Sequence, residues 1–161
     1  KDRTRHPRMK VYRLAKEKYI NDHSGKGAEI AGGRWNNKGT SVLYASDSRA
    51  LCAAEIAVRT PLGILPENFI LMELEIPHNI KPLELTRDQL PKNWKSYPHS
   101  NSTQQIGDNF ILKGQFLVMK VPSVVVPGDF NYLMNPQHKD FAKVKIISRT
   151  PFEFDQRLFL K

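Results

Sequence analysis

Cysteine is almost absent from the sequence. Cys52 stands alone among 161 residues, which excludes an internal disulfide and a structural zinc site built on paired thiolates. Long apolar runs are missing as well. No segment approaches the ~18 consecutive apolar residues of a membrane span. The basic start is not followed by an apolar stretch of signal-peptide type, so the expected compartment is the cytoplasm. Nucleotide fingerprints are absent too, with neither GxxxxGK[ST] nor GxGxxG after a strand. His23, His78, His99 and His138 show no HExxH or HxH spacing, so no metal centre is expected. There is no GxSxG elbow, and Cys52 lies in an apolar helical run, which reads as a small core residue rather than a nucleophile.

What is present fits one globular domain. Hydrophobic residues make up 40% and charged residues 25% of the chain, which argues against disorder. The length is that of a single domain. The net charge is +9, and residues 1–8 contribute +3 of it through four Lys/Arg and one Asp. These eight residues read as a leader ahead of a domain spanning 9–161. From Met9 onward the balance is still +6, which points to an anionic partner without choosing among nucleic acid, nucleotide and acidic protein.

The pattern along the chain mixes strands with two short helices, which predicts an α+β domain rather than a βαβ series. Met9–Ala15 alternates and reads as a strand, as do Ser41–Ala45, Phe69–Ile76 with Glu73 and Glu75 on the wet side, and Lys143–Ser148. Phe116–Val121 and Ser123–Val126 read as strand segments broken at Pro122. Asp47 is placed to cap a helix that runs to about Arg59 and stops before Pro61, with Leu51, Ala54, Glu55 and Val58 on one face. Ser102-x-x-Gln105 is a capping-box pattern opening a helix with Ile106, Phe110 and the stem of Lys113 on its apolar stripe, closed by Gly114. Residues 21–40 form a long polar segment with five glycines, and long ordered loops usually carry function.

Three features carry chemistry. Gly32-Gly33-Arg34-Trp35-Asn36 combines glycines that let backbone approach a ligand with an arginine able to clamp a phosphate; its plainer reading is a surface turn with a solvated arginine. Glu55 lies among Ala53, Ala54, Ile56 and Ala57, where a carboxylate needs a partner or lines a pocket; its plainer reading is a wet stripe edge. Ser123 is a lone hydroxyl in an apolar run, and such a hydroxyl usually satisfies a backbone group.

Order and spacing add to these features. Tyr12-Arg13 comes first, then Gly32-Gly33-Arg34-Trp35-Asn36, then Val42-Leu43-Tyr44-Ala45-Ser46 and the Ala-rich helix with Glu55. Gln105 with Gly107-Asp108 follows, then Val121-Pro122-Ser123, Asn131-Tyr132-Leu133-Met134-Asn135-Pro136 with His138, and Phe154-Asp155-Gln156-Arg157-Leu158. In this order the segments resemble the RES domain, the toxin half of a bacterial toxin–antitoxin pair, from about Val11 to Leu158.

The resemblance implies a single domain with the ADP-ribosyltransferase fold of the diphtheria-toxin type, with central mixed or antiparallel strands and short flanking helices. It implies an enzyme that cleaves the nicotinamide–ribose bond of NAD+ as a glycohydrolase or phosphorylase, with NAD+ as substrate, inorganic phosphate as a co-substrate of some members, and no bound cofactor or metal. It implies neutralisation by an Xre-family antitoxin in a complex compatible with a homodimer, and no direct contact with membrane or nucleic acid. Catalysis falls on Glu55, Arg13 and Arg34, and substrate binding on Tyr12, Tyr44, Ser123, Gly33 and Trp35. Those residue types suit the chemistry. Nicotinamide leaves as a neutral molecule, positive charge spreads over the ribose, and a carboxylate stabilises it. Arginine forks match a pyrophosphate. Tyr44 can stack on a cationic ring, Ser123 can hydrogen-bond ribose or phosphate, and Tyr12 can wall the pocket. Two alternatives stay open: a mono-ADP-ribosyltransferase with a protein acceptor at the same site, and a basic nucleic-acid-binding module. The second would need a basic stripe with interleaved aromatics, and the Lys and Arg residues are scattered instead.

Overall fold

The computed structural model describes residues 9–160; residues 1–8, read above as a leader, and residue 161 lie outside the described residues. The strands are β1 (Met9–Lys16), β2 (Leu43–Ser46), β3 (Phe69–Ile76), β4 (Leu83–Glu84), β5 (Val118–Pro122), β6 (Phe130–Met134) and β7 (Lys145–Phe152). They join in one sheet of order β4-β5-β6-β2-β1-β3-β7. All neighbours are antiparallel except β4 and β5, so the sheet is mixed. Three helices flank it: α1 (Lys26–Ala31), α2 (Arg49–Arg59) and α3 (Asn101–Lys113). The α+β class follows.

Strand alternation sorts the core onto two faces. Val11, Leu43, Ala45, Met72, Leu74 and Met134 pack together on one face. On the other face, Leu14, Cys52 and Leu71 meet α2 and the C-terminal Phe154 and Phe159, while Trp35, Met119, Val121 and Leu133 meet Phe110 of α3. Each fully buried side chain of this size contributes ~1.5–3 kcal/mol. Phe154 and Phe159 are therefore core, and Phe152 packs edge-on against Phe154 at 4.9 Å.

Several boundaries differ from the sequence pattern for physical reasons. The cap of α2 is Ser48, whose Oγ accepts from the Leu51 amide at 3.1 Å, because the Asp47 amide is already bonded to the Phe130 carbonyl of β6. The buried face of α2 is Leu51 and Cys52, and Val58 is exposed, so the helix is rotated relative to the expected stripe. That rotation puts Glu55 at the helix edge above the sheet. Helix α3 starts at Asn101 with Ser100 in the cap position, and the Ser102 hydroxyl donates to Asn93 instead of capping. Thr103, Gly107 and Phe110 are its buried positions, while Lys113 is exposed. Residues 123–126 form a turn, not a strand: the Ser123 hydroxyl accepts from the Val125 and Val126 amides at 3.1 Å each. Glu73 is not on a wet face. Lys10, Arg49 and the Ser148 hydroxyl all reach it. The final strand runs to Phe152, and within residues 21–40 the chain forms α1.

Two features of the sheet shape the site. Strands β1 and β2 pair only at Tyr12 and Ser46. Beyond that pair they part, and Arg13 reaches across the gap to donate from a terminal guanidinium nitrogen to the Tyr44 carbonyl at 3.2 Å. Helix α3 meanwhile fixes the loop ahead of β2. A Cβ on Gly107 would lie 1.5 Å from the Trp35 carbonyl oxygen, so only glycine lets this loop and the helix meet. Gln104 donates to the Gly33 carbonyl, and Asp108 accepts from the Asn37 amide and side chain.

Candidate active site

Glu55 is the centre of the site. Its Oε1 accepts from the Ser123 hydroxyl at 2.9 Å and from Asn131 Nδ2 at 2.7 Å. Asn131 is itself oriented, because the Ser46 hydroxyl donates to its Oδ1 at 2.7 Å. Ser46 and Asn131 are register partners across β2 and β6, so the sheet sets this relay. Ser123 is held in turn by the two amides of its turn. One carboxylate oxygen is thus fixed by helix α2, by β6 and by the turn after β5. Among the described residues, no hydrogen bond engages the other, Oε2.

Arg34 stands across from it. One guanidinium nitrogen donates to the Trp94 and Ser96 carbonyls at 2.8 and 2.9 Å, so the arginine pins the 94–96 loop while the rest of its fork stays open. Burial lowers its pKa, and the Glu55 carboxylate opposes that. Arg13 is more deeply placed. Burial lowers its pKa too, opposed by Cys52 and Asp22.

Tyr44 is locked by its hydroxyl, which donates to Asn36 Oδ1 at 2.7 Å and accepts from the Trp35 amide at 3.2 Å. Burial drives its pKa far upward, so the phenol stays neutral. Gly33 sits tightly there, because a Cβ would stand 3.0 Å from both the Tyr44 hydroxyl and Asn36 Oδ1 and would press on them. Asn36 Nδ2 donates to the carbonyls of Ala28, Asn37 and Thr40, closing the loop on itself.

The sequence-based candidates fall into two groups. Glu55 and Ser123 are in direct contact, and the Glu55 charge acts on Arg34. Arg13 joins through the Tyr44 carbonyl. Gly33 and Trp35 act from beneath. Trp35 is buried in the α3 cluster, and its amide holds Tyr44. Tyr12 is the register partner of Ser46 across β1 and β2, and its ring carries the Arg49 guanidinium at 4.7 Å, near Glu73. Asn131, Ser46 and Asn36 belong to the site and were given no role from sequence. All three stood inside quoted family segments, which was the available signal. Among the described residues no group of three or more His, Cys, Asp or Glu is placed to hold a metal. The arrangement can stabilise a cation at Glu55 and an anion at the arginines.

An α+β domain whose split sheet sets a fixed carboxylate beside arginine forks defines the class. Residues 10–155 match the RES domain, and the chain belongs to that family. A protein named Toxin Res from Photorhabdus laumondii is 35% identical over 153 residues, spanning 93% of this chain and 97% of its own. The Prs ADP-ribosylating toxin of a Sphingobium species is 35% identical over 142 residues, covering 87% of this chain and 88% of that one. The fold is also that of a chain in the crystal structure of the M. tuberculosis MbcT–MbcA toxin–antitoxin complex, with a TM-score of 0.72 at 19% identity over 92% of this chain and 86% of the other.

Proposed function

We propose that this protein is the toxin of a toxin–antitoxin pair and that it cleaves the nicotinamide–ribose bond of NAD+. The observation that carries the reading is the asymmetric carboxylate of Glu55, with two donors on Oε1 and, among the described residues, none on Oε2. Such a carboxylate is oriented before substrate arrives, with one oxygen left for the sugar. As the C–N bond breaks, its electron pair leaves with nicotinamide, and the positive charge on the ribose faces Glu55. An acceptor oxygen then bonds the anomeric carbon and its proton passes to solvent. Arg13 and Arg34 suit the pyrophosphate, and the locked Tyr44 offers an aromatic face to the cationic ring. Water gives ADP-ribose, and inorganic phosphate gives a phosphorylated ADP-ribose. No separate cofactor enters this chemistry.

The Sphingobium relative favours a second reading, in which the same site passes ADP-ribosyl to a protein side chain. The named toxins and the toxin–antitoxin complex support an antitoxin partner, which we take to be of Xre type and to act in the cytoplasm. Among the described residues no helix is long and apolar enough to cross a membrane.

The test is incubation of the purified chain with NAD+, with and without phosphate, followed by product identification. Nicotinamide with ADP-ribose means hydrolysis, and nicotinamide with a phosphorylated ADP-ribose means phosphorolysis. Nicotinamide released only when cell protein is added means protein modification. No nicotinamide in any arm overturns the reading.

A further inference from the structure

Helix α2 runs out into an exposed apolar surface. Past its last turn the chain bends through Pro61-Leu62-Gly63-Ile64, where the Ile64 amide donates back to the Pro61 carbonyl. The Gly63 amide donates to the Phe159 carbonyl at 3.0 Å, which lays this turn beside the C-terminal segment. Phe159 is buried with Leu14, Cys52 and Phe154, whereas its neighbours Leu158 and Leu160 are left outside. Leu62 and Ile64 flank the same bond from the other side, and Val58 stands four residues before Leu62 in the last turn of the helix. Leu62 is 93% exposed, and Leu160, the least open of the five, is 42% exposed.

Five aliphatic side chains gathered in this way make a patch of roughly 500 Å², a size that marks an interaction site on an ordinary monomer. A stable dimer buries about 800 Å² of each partner, with apolar residues at the centre and polar residues around them. The patch has the size and character of such a centre.

Charge selects the partner. The segments that form the patch, 58–67 and 153–160, set Arg59 and Arg157 against Glu67, Glu153 and Asp155, a local balance of −1 on a chain of +9. Arg157 is tied to Asp155 at 2.6 Å. Two copies of a basic protein repel unless the surfaces that face each other carry no net cation, and this surface carries none. An acidic partner is drawn instead to the basic remainder of the chain. The sheet edges do not compete. Strand β4 is two residues long, and β7 carries Lys145, Arg149, Pro151 and an irregularity in its pairing with β3. Those are the devices that keep an edge strand from pairing with another chain.

We infer that Val58, Leu62, Ile64, Leu158 and Leu160 form a self-association face, through which two copies of this chain pair about a two-fold axis. Pairing brings together the ends of the two α2 helices, each one turn beyond its Glu55. It is independent of the NAD+ reading, since the chain pairs or stays single whether or not nicotinamide is released.

Sedimentation velocity of the whole chain from about 1 to 100 μM tests the face. The wild type should move from monomer to dimer within that range. Leu62→Glu and Leu158→Glu each put two like charges at the centre of the paired surface, so dimerisation should weaken roughly thirtyfold or more in both. At low concentration, where all are monomers, both variants should keep the wild-type Tm, because the two side chains are exposed. Ile147→Glu, on the exposed strand β7, should pair as the wild type does. A wild type that stays monomeric throughout overturns the face. Equal dimerisation of wild type, Leu62→Glu and Leu158→Glu overturns it too, and so does loss of the dimer in Ile147→Glu alone, which would place the contact at the sheet edge.

Discussion

The carboxylate side and the arginine side of the cleft are built from different parts of the fold. Glu55 sits on an 11-residue helix and receives donors from β6 and from the turn that ends β5. Its orientation is set by strand register, since Asn131 and the Ser46 that orients it are opposite one another in the sheet. Arg34 leaves a loop, and the carbonyls it binds belong to another loop, 60 and 62 residues away in sequence. Sheet registers are stiff, whereas loops are where proteins accommodate motion. The difference matches the two tasks of the proposed reaction. Stabilising a developing cation demands a group held to within a fraction of an ångström. Gripping a pyrophosphate is served by a fork that can close after the ligand arrives.

The largest effect should come from removing the charge on the stiff side. Glu55→Gln keeps the shape and can still accept from Ser123 and Asn131 through its amide oxygen. It loses the negative charge that the proposed reaction sets against the ribose. NAD+ turnover should fall ~10²-fold or more, with an unchanged melting temperature. Near-wild-type consumption by a folded Glu55→Gln protein would take Glu55 out of the chemistry. Next comes the group that aims it. Asn131→Ala removes one charge-assisted donor worth ~1.5–3 kcal/mol, so kcat should fall about tenfold or more while KM changes little. A rise in KM without a loss of kcat would show that Asn131 serves binding instead.

The loop side should answer in the opposite sense. Arg34→Lys keeps a positive charge but cannot hold the Trp94 and Ser96 carbonyls and still present a fork. KM for NAD+ should rise about tenfold, with kcat less affected. If kcat carries the loss, the two sides of the cleft are not separable and the comparison fails.

How much of this was legible depends on where each residue gets its partners. Glu55 could be read from sequence because a carboxylate among alanines must be answered somewhere. Its answer lay 68 and 76 residues away, and no local pattern gives that. Strand β6 went unread because Phe130–Met134 is short and carries an asparagine, yet it lies at the middle of the sheet. The rotation of α2 was missed because Val58 looks like a core position until the helix is docked through Cys52. The cap moved from Asp47 to Ser48 because β6 had already claimed the Asp47 amide. The family order of segments, by contrast, named Arg13, Arg34, Tyr44, Glu55 and Ser123, of which Ser123 bonds Glu55 and Arg13 bonds the Tyr44 carbonyl.

Cys52 gives the smallest expected effect and marks where the site ends. It lies one turn before Glu55, on the side of α2 that docks on β1, and its thiol donates to the Tyr12 carbonyl at 3.0 Å. Burial pushes the thiol up to about 11 from an ordinary value near 9. At neutral pH it is protonated and covered, so it lacks both conditions for nucleophilic reactivity. Iodoacetamide should therefore leave NAD+ turnover of the native protein unchanged, and Cys52→Ala should stay within about twofold of wild type while losing ~1 kcal/mol of stability from the small cavity. The pH dependence has a definite sign. In the fold the neutral thiol is favoured, whereas the unfolded chain ionises its thiol first. Stability from Cys52 is thus fully present below pH 9 and is lost as the pH rises toward 11. Chemical denaturation across that range should show a steeper decline for wild type than for Cys52→Ala. Equal slopes would mean that the thiol is not held neutral by the fold. Rapid alkylation of the native protein that also stops NAD+ turnover would move the boundary of the site to include the underside of α2.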